Sequence, residues 1–105
     1  MEIHRNMSVY FIADNENGDY GNLRIKIGIS QSIKARLNKL QTGSPYKLKL
    51  MGWIESDDDR VLEKELHSKY DKYRVHLEWF EFDVCNVLEI IKSHTTNGYP
   101  NDRVP

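Results

Sequence analysis

Residues 24–30, RIKIGIS, alternate three isoleucines with two cations and a glycine. Successive side chains of a β-strand point to opposite faces, so this alternation predicts a strand with one face buried in a core. The other face then carries Arg24 and Lys26. That charge is either an ordinary solvated surface or a place for an anion, and the strand alone leaves both interpretations open.

We predict that this strand is the second half of a β-hairpin. Residues 8–14, SVYFIAD, have the β-branched and aromatic composition of a strand, and a turn-rich segment around Asn17 and Gly18 follows them. If the hairpin is symmetric about Gly18, Tyr10 lies opposite Lys26, and both side chains project from the same face of the sheet.

A third strand is predicted at residues 46–55, YKLKLMGWIE, with Leu48, Leu50 and Ile54 on one side. The later segment EWFEF reads as short and extended or turn-like. With the helices described next, these elements predict an α+β fold. Its core is a small three-stranded antiparallel sheet flanked by helices, in the order β-β-α-β-α-α.

Three helices are predicted from apolar residues at helical spacing. These residues are Ile33, Leu37 and Leu40 in the first helix, Leu62, Leu66, Tyr70 and Tyr73 in the second, and Val84, Val87, Leu88 and Ile91 in the third. The expected N-caps are Ser30 or Ser32, Ser56 in a capping box with Asp59, and Asp83. Gly43 and Pro45 are expected to end the first helix.

The length of the chain indicates one domain. At 105 residues it can form one hydrophobic core but not two, and we assign residues 8–94 to that domain. Residues 1–7 are then an N-terminal extension and residues 95–105 a flexible tail. The apolar runs are too short to span a bilayer, so we expect no membrane contact. The single cysteine, Cys85, and an N-terminus without a secretory signal indicate a reducing, cytoplasmic compartment.

Charge is distributed unevenly along a chain whose net charge is only -1. From residue 24 to residue 54 there are cations and no Asp or Glu; the cations are Arg24, Lys26, Lys34, Arg36, Lys39, Lys47 and Lys49. An acidic run at residues 55–59 follows. A basic block of this kind is typical of nucleic-acid binding but also of solvated surfaces, and charge alone does not separate the two.

Five segments together resemble the GIY-YIG nuclease superfamily. They are VYFI at 9–12, IKIG at 25–28, Arg36, LEKELH at 62–67 and EWF at 78–80. In particular they are similar to the phage and bacterial branch in which the second motif reads KIG and an EWF signature follows. The resemblance implies a three-stranded antiparallel sheet flanked by helices, and cleavage of DNA phosphodiester bonds with one divalent metal.

The resemblance also implies catalytic roles for residues of the hairpin and the first helix. Lys26 and Arg36 would hold a phosphate, and Tyr10 would act as the general base. A tyrosine in water has a pKa of about 10, so a base near neutrality needs such cations beside it. From the residues alone, the simpler interpretation of Tyr10 is cross-strand packing on a half-buried sheet.

Glu63 matches the metal-binding glutamate of the superfamily. Mg²⁺, or Mn²⁺ in its place, often needs only one or two carboxylates besides phosphate oxygens and water. His67 lies one helical turn later, as a phosphate contact, a proton carrier, a partner of the metal ligand, or an ordinary histidine bonded to Glu63. Zinc is less favoured, because a catalytic zinc site needs three protein ligands and no third is spaced nearby.

The residues of the EWF segment are expected to have two different roles, one in the core and one in the site. Trp79 and Phe80 are expected to close the core, and Glu78 to reach the site. Leu77 precedes them where the branch commonly has glycine; leucine adopts a positive φ only at a cost, so the direction of Glu78 stays open. Gly28, in the earlier motif, is expected to let a ligand approach the backbone closely.

These features together predict a Mg²⁺-dependent endonuclease acting on single- or double-stranded DNA. We expect weak sequence specificity, or a protein partner that supplies it. The alternative is a nucleic-acid-binding module of the same fold that does not cut. The presence of Tyr10, Arg36 and Glu63 together favours the enzyme.

Overall fold

The computed structural model describes residues 8–14, 22–55, 58–93 and 97–98. The strands among them are β1 (Ser8–Ala13), β2 (Asn22–Ser30), β3 (Lys49–Glu55), β4 (Arg74–His76), β5 (Trp79–Asp83) and β6 (Asn97–Gly98). The helices are α1 (Ile33–Thr42), α2 (Asp59–Lys69) and α3 (Val84–Lys92), and a 3₁₀ turn at Asp71–Tyr73 follows α2. The predicted α+β class is confirmed.

The sheet is larger than the predicted three strands. Its order is β4-β5-β2-β1-β3-β6, and every neighbouring pair is antiparallel. The three predicted strands form its centre, and three short strands extend the edges. β5 contains the EWF segment, whereas β6 lies in the predicted tail and pairs with Trp53 and Ile54. The other residues of 95–105, and residues 1–7, lie outside the described part of the chain.

The register of the β1–β2 hairpin differs from the symmetric one. Tyr10 pairs with Gly28, and Ile12 pairs with Lys26. The predicted pairing of Tyr10 with Lys26 was therefore wrong, because the hairpin is not centred on Gly18. The slip is an even number of residues, so Tyr10 and Lys26 still share a face, as diagonal neighbours.

A bulge in β3 divides the side chains expected on one face. Phe11 pairs with Gly52 but its neighbour Ile12 pairs with Leu50, which leaves Met51 as the extra residue. Leu50 consequently packs on one side of the sheet and Ile54 on the other. The expectation that Ile54 shares a face with Leu48 and Leu50 was wrong for this reason.

The sheet separates two hydrophobic cores. The larger core lies under α2 and α3 and takes from the central strands Val9, Phe11, Ala13, Leu23, Ile25, Ile27 and Ile54. The smaller core lies under α1 and contains Tyr10, Ile12, Ile33, Leu48, Leu50 and Trp53. RIKIGIS therefore buries Ile25 and Ile27 on the α2 side, with Ile29 partly buried there, and Arg24 and Lys26 lie on the α1 side.

The helix faces follow the predicted stripes with one exception. Ile33 in α1, and Leu62 and Leu66 in α2, are buried. In α3 Val87 and Ile91 are fully buried, but Leu88 is 37% exposed and Ile90 is buried instead. The i, i+3, i+4 spacing of residues 87, 90 and 91 defines a single stripe, and Leu88 lies beside it.

The caps explain where the helices begin. The side chains of Ser32 and Asp83 accept hydrogen bonds from Ala35 N and Cys85 N, as expected of these two N-caps. α2 begins after Asp58, whose carboxylate accepts from Val61 N, so the expected Ser56 cap was wrong; Ser56 itself lies outside the described residues. None of these helices is long and apolar enough to cross a membrane within the described ranges.

Candidate functional site

Several of the predicted site residues meet beside β2, at the point where β5 begins. The β2–β5 ladder stops at the pair Lys26–Trp79. Just beyond it, Ile27 N donates to Glu78 O at 3.1 Å, and Ile27 O lies 2.8 Å from Nε2 of His67. One backbone unit of RIKIGIS therefore fixes two residues that the sequence places far from it.

The bond to Ile27 also determines which nitrogen of His67 carries hydrogen. A backbone carbonyl can only accept, so Nε2 of His67 is the donor. In the neutral ring, Nδ1 then carries a lone pair. The ring is held further by an edge-to-face contact with Phe80, with centroids 5.1 Å apart. His67 is thus fixed in both orientation and tautomer.

Glu63, His67 and Glu78 form a cluster of potential metal ligands. One ligand atom from each lies within 4.8 Å of the others, and all three residues are partly buried. Burial raises the pKa of Glu63, and the nearby Glu78 carboxylate raises it further, while His67, Arg60 and Lys26 oppose the rise. A cation bound to the cluster would stabilise the ionised form of Glu63.

Lys26 of β2 contacts the cluster through Glu78. Its ammonium forms an ion pair with Glu78 Oε1 at 3.0 Å and lies 5.7 Å from the centre of the Trp79 ring. Only 12% of the Lys26 side chain is exposed. The predicted cation of the hairpin is therefore in the site, and its partner is Glu78.

Arg36, from α1, is the cation that contacts Tyr10. The pKa of Arg36 is raised chiefly by a hydrogen bond with Tyr10 and by the charge interaction with it; burial opposes this, and Glu78 adds to it. Tyr10 is 1% exposed. The pair therefore lies under α1, on the opposite side of the sheet from Glu63 and His67.

Gly28 makes room for the Tyr10 ring. A Cβ built on Gly28 would lie 2.6 Å from Cζ of Tyr10, closer than real Cβ atoms approach other atoms. The backbone approach that the sequence predicts at this glycine is thus used, in the structure, by a side chain of the neighbouring strand. Any residue larger than glycine would move Tyr10 away from Arg36.

The turn before EWF has the conformation that glycine would adopt. Leu77 has a φ of 51° and is 69% exposed. Arg74 holds the turn: its Nη1 donates to Leu77 O, its Nε donates to Asp71 Oδ1 at 2.8 Å, and its guanidinium covers the Phe80 ring at 4.8 Å. Glu78 is therefore directed to the site despite Leu77.

Arg74 is a residue that reading the sequence did not identify. The hint available was its i, i+3 spacing from Asp71, which is common on any surface helix or turn.

Trp79 and Phe80 lie on opposite faces of β5; Phe80 is fully buried in the larger core and Trp79 packs against the smaller one.

The remaining cations of the basic block are distributed over several surfaces. Arg24 pairs with Asp14 at 2.9 Å, with its guanidinium 5.9 Å from the Tyr46 ring. Lys39 lines a cleft of about 420 Å³ together with Arg36. The exposed members of the block are Lys34, Lys39, Lys47 and Lys49.

Two of the exposed lysines do not face the Arg36 cleft. At 100° per residue, Lys34 is about 160° around α1 from Arg36, whereas Lys39 is about 60° away. Lys49 lies between Leu48 and Leu50, which face α1, so strand alternation directs it to the other side of the sheet.

Comparison with known protein families identifies a matching family model. The T5orf172 domain family matches residues 7–94 of the chain. Searches among curated proteins and among solved structures found no match.

Proposed function

The chain belongs to the T5orf172 domain family, a family of nuclease-associated domains, and we propose that it is a divalent-metal-dependent DNA endonuclease. The observation that carries the proposal is a carboxylate–imidazole cluster with two cations, Lys26 and Arg36, around the point where the β2–β5 ladder ends. Carboxylates suit a metal ion, and cations suit a phosphate. Similarity to the KIG and EWF branch of GIY-YIG nucleases supports the same reaction.

The cluster fits a divalent metal ion. Glu63 supplies a hard oxygen ligand, with Mg²⁺ or Mn²⁺ as the expected ion. When bound, such an ion polarises phosphate oxygens and stabilises the negative charge that develops on them during hydrolysis. Glu78 and His67 lie within reach of the same position.

Arg36 and Lys26 are assigned to the substrate phosphate. A guanidinium can donate two parallel hydrogen bonds to one phosphate, and Arg36 is already held by Tyr10 on its inner side. Lys26 forms an ion pair with Glu78. Its contribution to phosphate binding would therefore grow if Glu78 also held a metal ion.

Tyr10 is assigned the proton transfer. To act as the base, the Tyr10 hydroxyl must first give up its own proton; the Arg36 guanidinium beside it would then stabilise the charge on the oxygen that takes a proton from the attacking water. Because Tyr10 is 1% exposed, water reaches that oxygen only after the groups around it have moved.

Incubation with end-labelled single- and double-stranded DNA, with Mg²⁺, with Mn²⁺ and with chelator, tests the proposal. We expect metal-dependent cleavage products that are absent in chelator. Binding without any product, at high protein concentration and long times with either ion, would replace the enzyme by a nucleic-acid-binding module of the same fold. DNA affinity, measured in the same samples by fluorescence anisotropy, separates these two outcomes from simple inactivity.

A further inference from the structure

We infer that the ion is held by three protein ligands, Glu63, His67 through Nδ1, and Glu78, and that the site prefers a first-row transition ion such as Mn²⁺ or Zn²⁺ to Mg²⁺. This inference deepens the proposed function and rests on it for its catalytic meaning. Metal binding itself, however, can be measured without DNA.

The spacing of the three side chains fits one ion. Ligand atoms bound at about 2.0–2.2 Å to a single ion lie at most about 4.4 Å apart. In the cluster one ligand atom from each residue lies within 4.8 Å of the others, a separation that rotations of the flexible glutamates can reduce to that of ligands on one ion. Glu63 and His67 come from α2, and Glu78 comes from the turn that immediately precedes β5.

The hydrogen bond of His67 is a second, independent observation. Histidines that bind metals usually donate their other ring N–H to a carboxylate or a backbone carbonyl, which fixes the tautomer and directs the ligand nitrogen. His67 donates Nε2–H to Ile27 O at 2.8 Å, so Nδ1 is the nitrogen left for a ligand.

The third ligand comes from the turn at Leu77. Glu78 has one carboxylate oxygen, Oε1, paired with Lys26, and its side chain is 41% exposed. The second oxygen can therefore join Glu63 and His67. Arg74, bonded to Leu77 O, fixes the turn that directs Glu78.

The ligand types set the preference for the ion. Mg²⁺ binds oxygen, keeps several waters and is usually held by one or two carboxylates. An imidazole favours later divalent ions, and affinities rise from Mn²⁺ toward Zn²⁺ along the first row, apart from a maximum at copper. One imidazole with two carboxylates, and open positions for water and phosphate, therefore selects against Mg²⁺.

Isothermal titration of the DNA-free chain with Zn²⁺, Mn²⁺ or Mg²⁺ alone tests this. We expect a single site for Zn²⁺ and Mn²⁺ and much weaker binding of Mg²⁺. His67→Gln keeps an amide N–H for Ile27 O and lacks the ring nitrogen, so it should lose Zn²⁺ and Mn²⁺ affinity by more than the roughly 10–100-fold typical of an outer partner. His76→Gln, an exposed histidine on β4, is the matched control.

A second measurement needs no variant. Zn²⁺ added to the ¹⁵N-labelled chain should shift the Nδ1 resonance of His67 and leave that of His76 in place. An unmoved Nδ1 resonance, or Zn²⁺ and Mn²⁺ affinities equal in the parent and His67→Gln, would overturn the three-ligand site. Tight binding that depends on His67 supports it even where no DNA is cut, and in that case the proposed function alone fails.

Discussion

The two faces of the sheet contribute opposite chemistry to the same site. The face under α1 supplies Tyr10 and Arg36, a phenol paired with a guanidinium. The face under α2 supplies Glu63 and His67, which with Glu78 form a cluster suited to a cation. The backbone edge of β2 lies between them, where Lys26 pairs with Glu78.

This division keeps the Arg36 guanidinium and the Glu63 carboxylate from pairing with each other. If Arg36 lay beside Glu63 on one face, the pair would neutralise itself and leave little for a phosphate or a metal. A strand between them keeps the guanidinium on a phenol and the carboxylate near an imidazole. Substitutions on either face therefore separate metal-dependent chemistry from phosphate binding.

Glu63→Gln on the α2 face should have the largest effect. Cleavage should fall by more than about a thousandfold, because a metal ligand is lost and a bound metal supplies several kcal/mol to the transition state. DNA affinity should stay the same or rise, since one negative charge is removed. Gel assays and anisotropy measure the two, with Glu65→Gln, an exposed glutamate of the same helix, as the control.

The stability of Glu63→Gln at different pH values tests whether the pKa of Glu63 is raised in the folded chain. The raised pKa of Glu63 means that the folded chain binds this proton more tightly than the unfolded chain, so the group lowers stability as pH rises through its ordinary value of 4.5. Without metal, Glu63→Gln should unfold at higher temperature than the parent near neutral pH and not well below that value. Equal gains at every pH would show that Glu63 is not perturbed.

Tyr10→Phe on the α1 face should reduce cleavage by about 10²–10⁴-fold, the range typical of a general base. The Zn²⁺ and Mn²⁺ affinity should not change, because the phenol lies across the sheet from the cluster. Single-turnover rates and metal titration measure the two effects. Tyr46→Phe, which removes a hydroxyl from an exposed tyrosine, is the control. A loss of only a few fold would limit Tyr10 to positioning Arg36.

Gly28→Ala tests whether the α1 face depends on the close fit of Tyr10. The added Cβ would lie 2.6 Å from Cζ of Tyr10, so the ring must move, and overpacking of this kind costs about 1–3 kcal/mol. The rate of DNA cleavage should fall together with the stability. At Gly43, with φ of -94° and the nearest atom 3.9 Å away, alanine should change stability little. Chemical denaturation of both variants measures the two changes in stability.

Lys39→Ala and Lys34→Ala compare the two flanks of α1. If DNA follows the Arg36 cleft, Lys39→Ala should flatten the dependence of log affinity on log salt by about 0.9 for duplex or 0.7 for single strands. Lys34→Ala, on the other flank, should leave the slope close to that of the parent. The reverse result would move the DNA path to the opposite side of α1.

Leu77→Gly should have the smallest effect, a gain in stability of less than about 1 kcal/mol. It relieves the left-handed strain of about 1–2 kcal/mol but increases the freedom of the unfolded chain. Leu77→Ala keeps a Cβ and should show no gain. Equal stability of the two variants would mean that Arg74 already compensates the strain fully.

Local patterns in the sequence were sufficient for the elements and for part of the site. The alternation in RIKIGIS predicted that Ile25 and Ile27 are buried, and helical spacing placed His67 one turn after Glu63. The caps at Ser32 and Asp83 were predictable because a cap bonds to backbone only two or three residues away. All of these depend on interactions between near neighbours in the chain.

The tertiary structure decided the distances between segments. The Tyr10–Gly28 register depends on the geometry of the hairpin turn, and the bulge at Met51 depends on how β3 packs between two cores. The third ligand shows the same limit: no spacing rule connects Glu78 to Glu63 and His67. They meet because Ile27 binds both His67 and Glu78 through its backbone, and Arg74 holds Leu77 in a left-handed turn. Such contacts arise only once the sheet and its helices have packed, since loop geometry and side-chain packing, unlike periodicity, leave no regular pattern along the sequence.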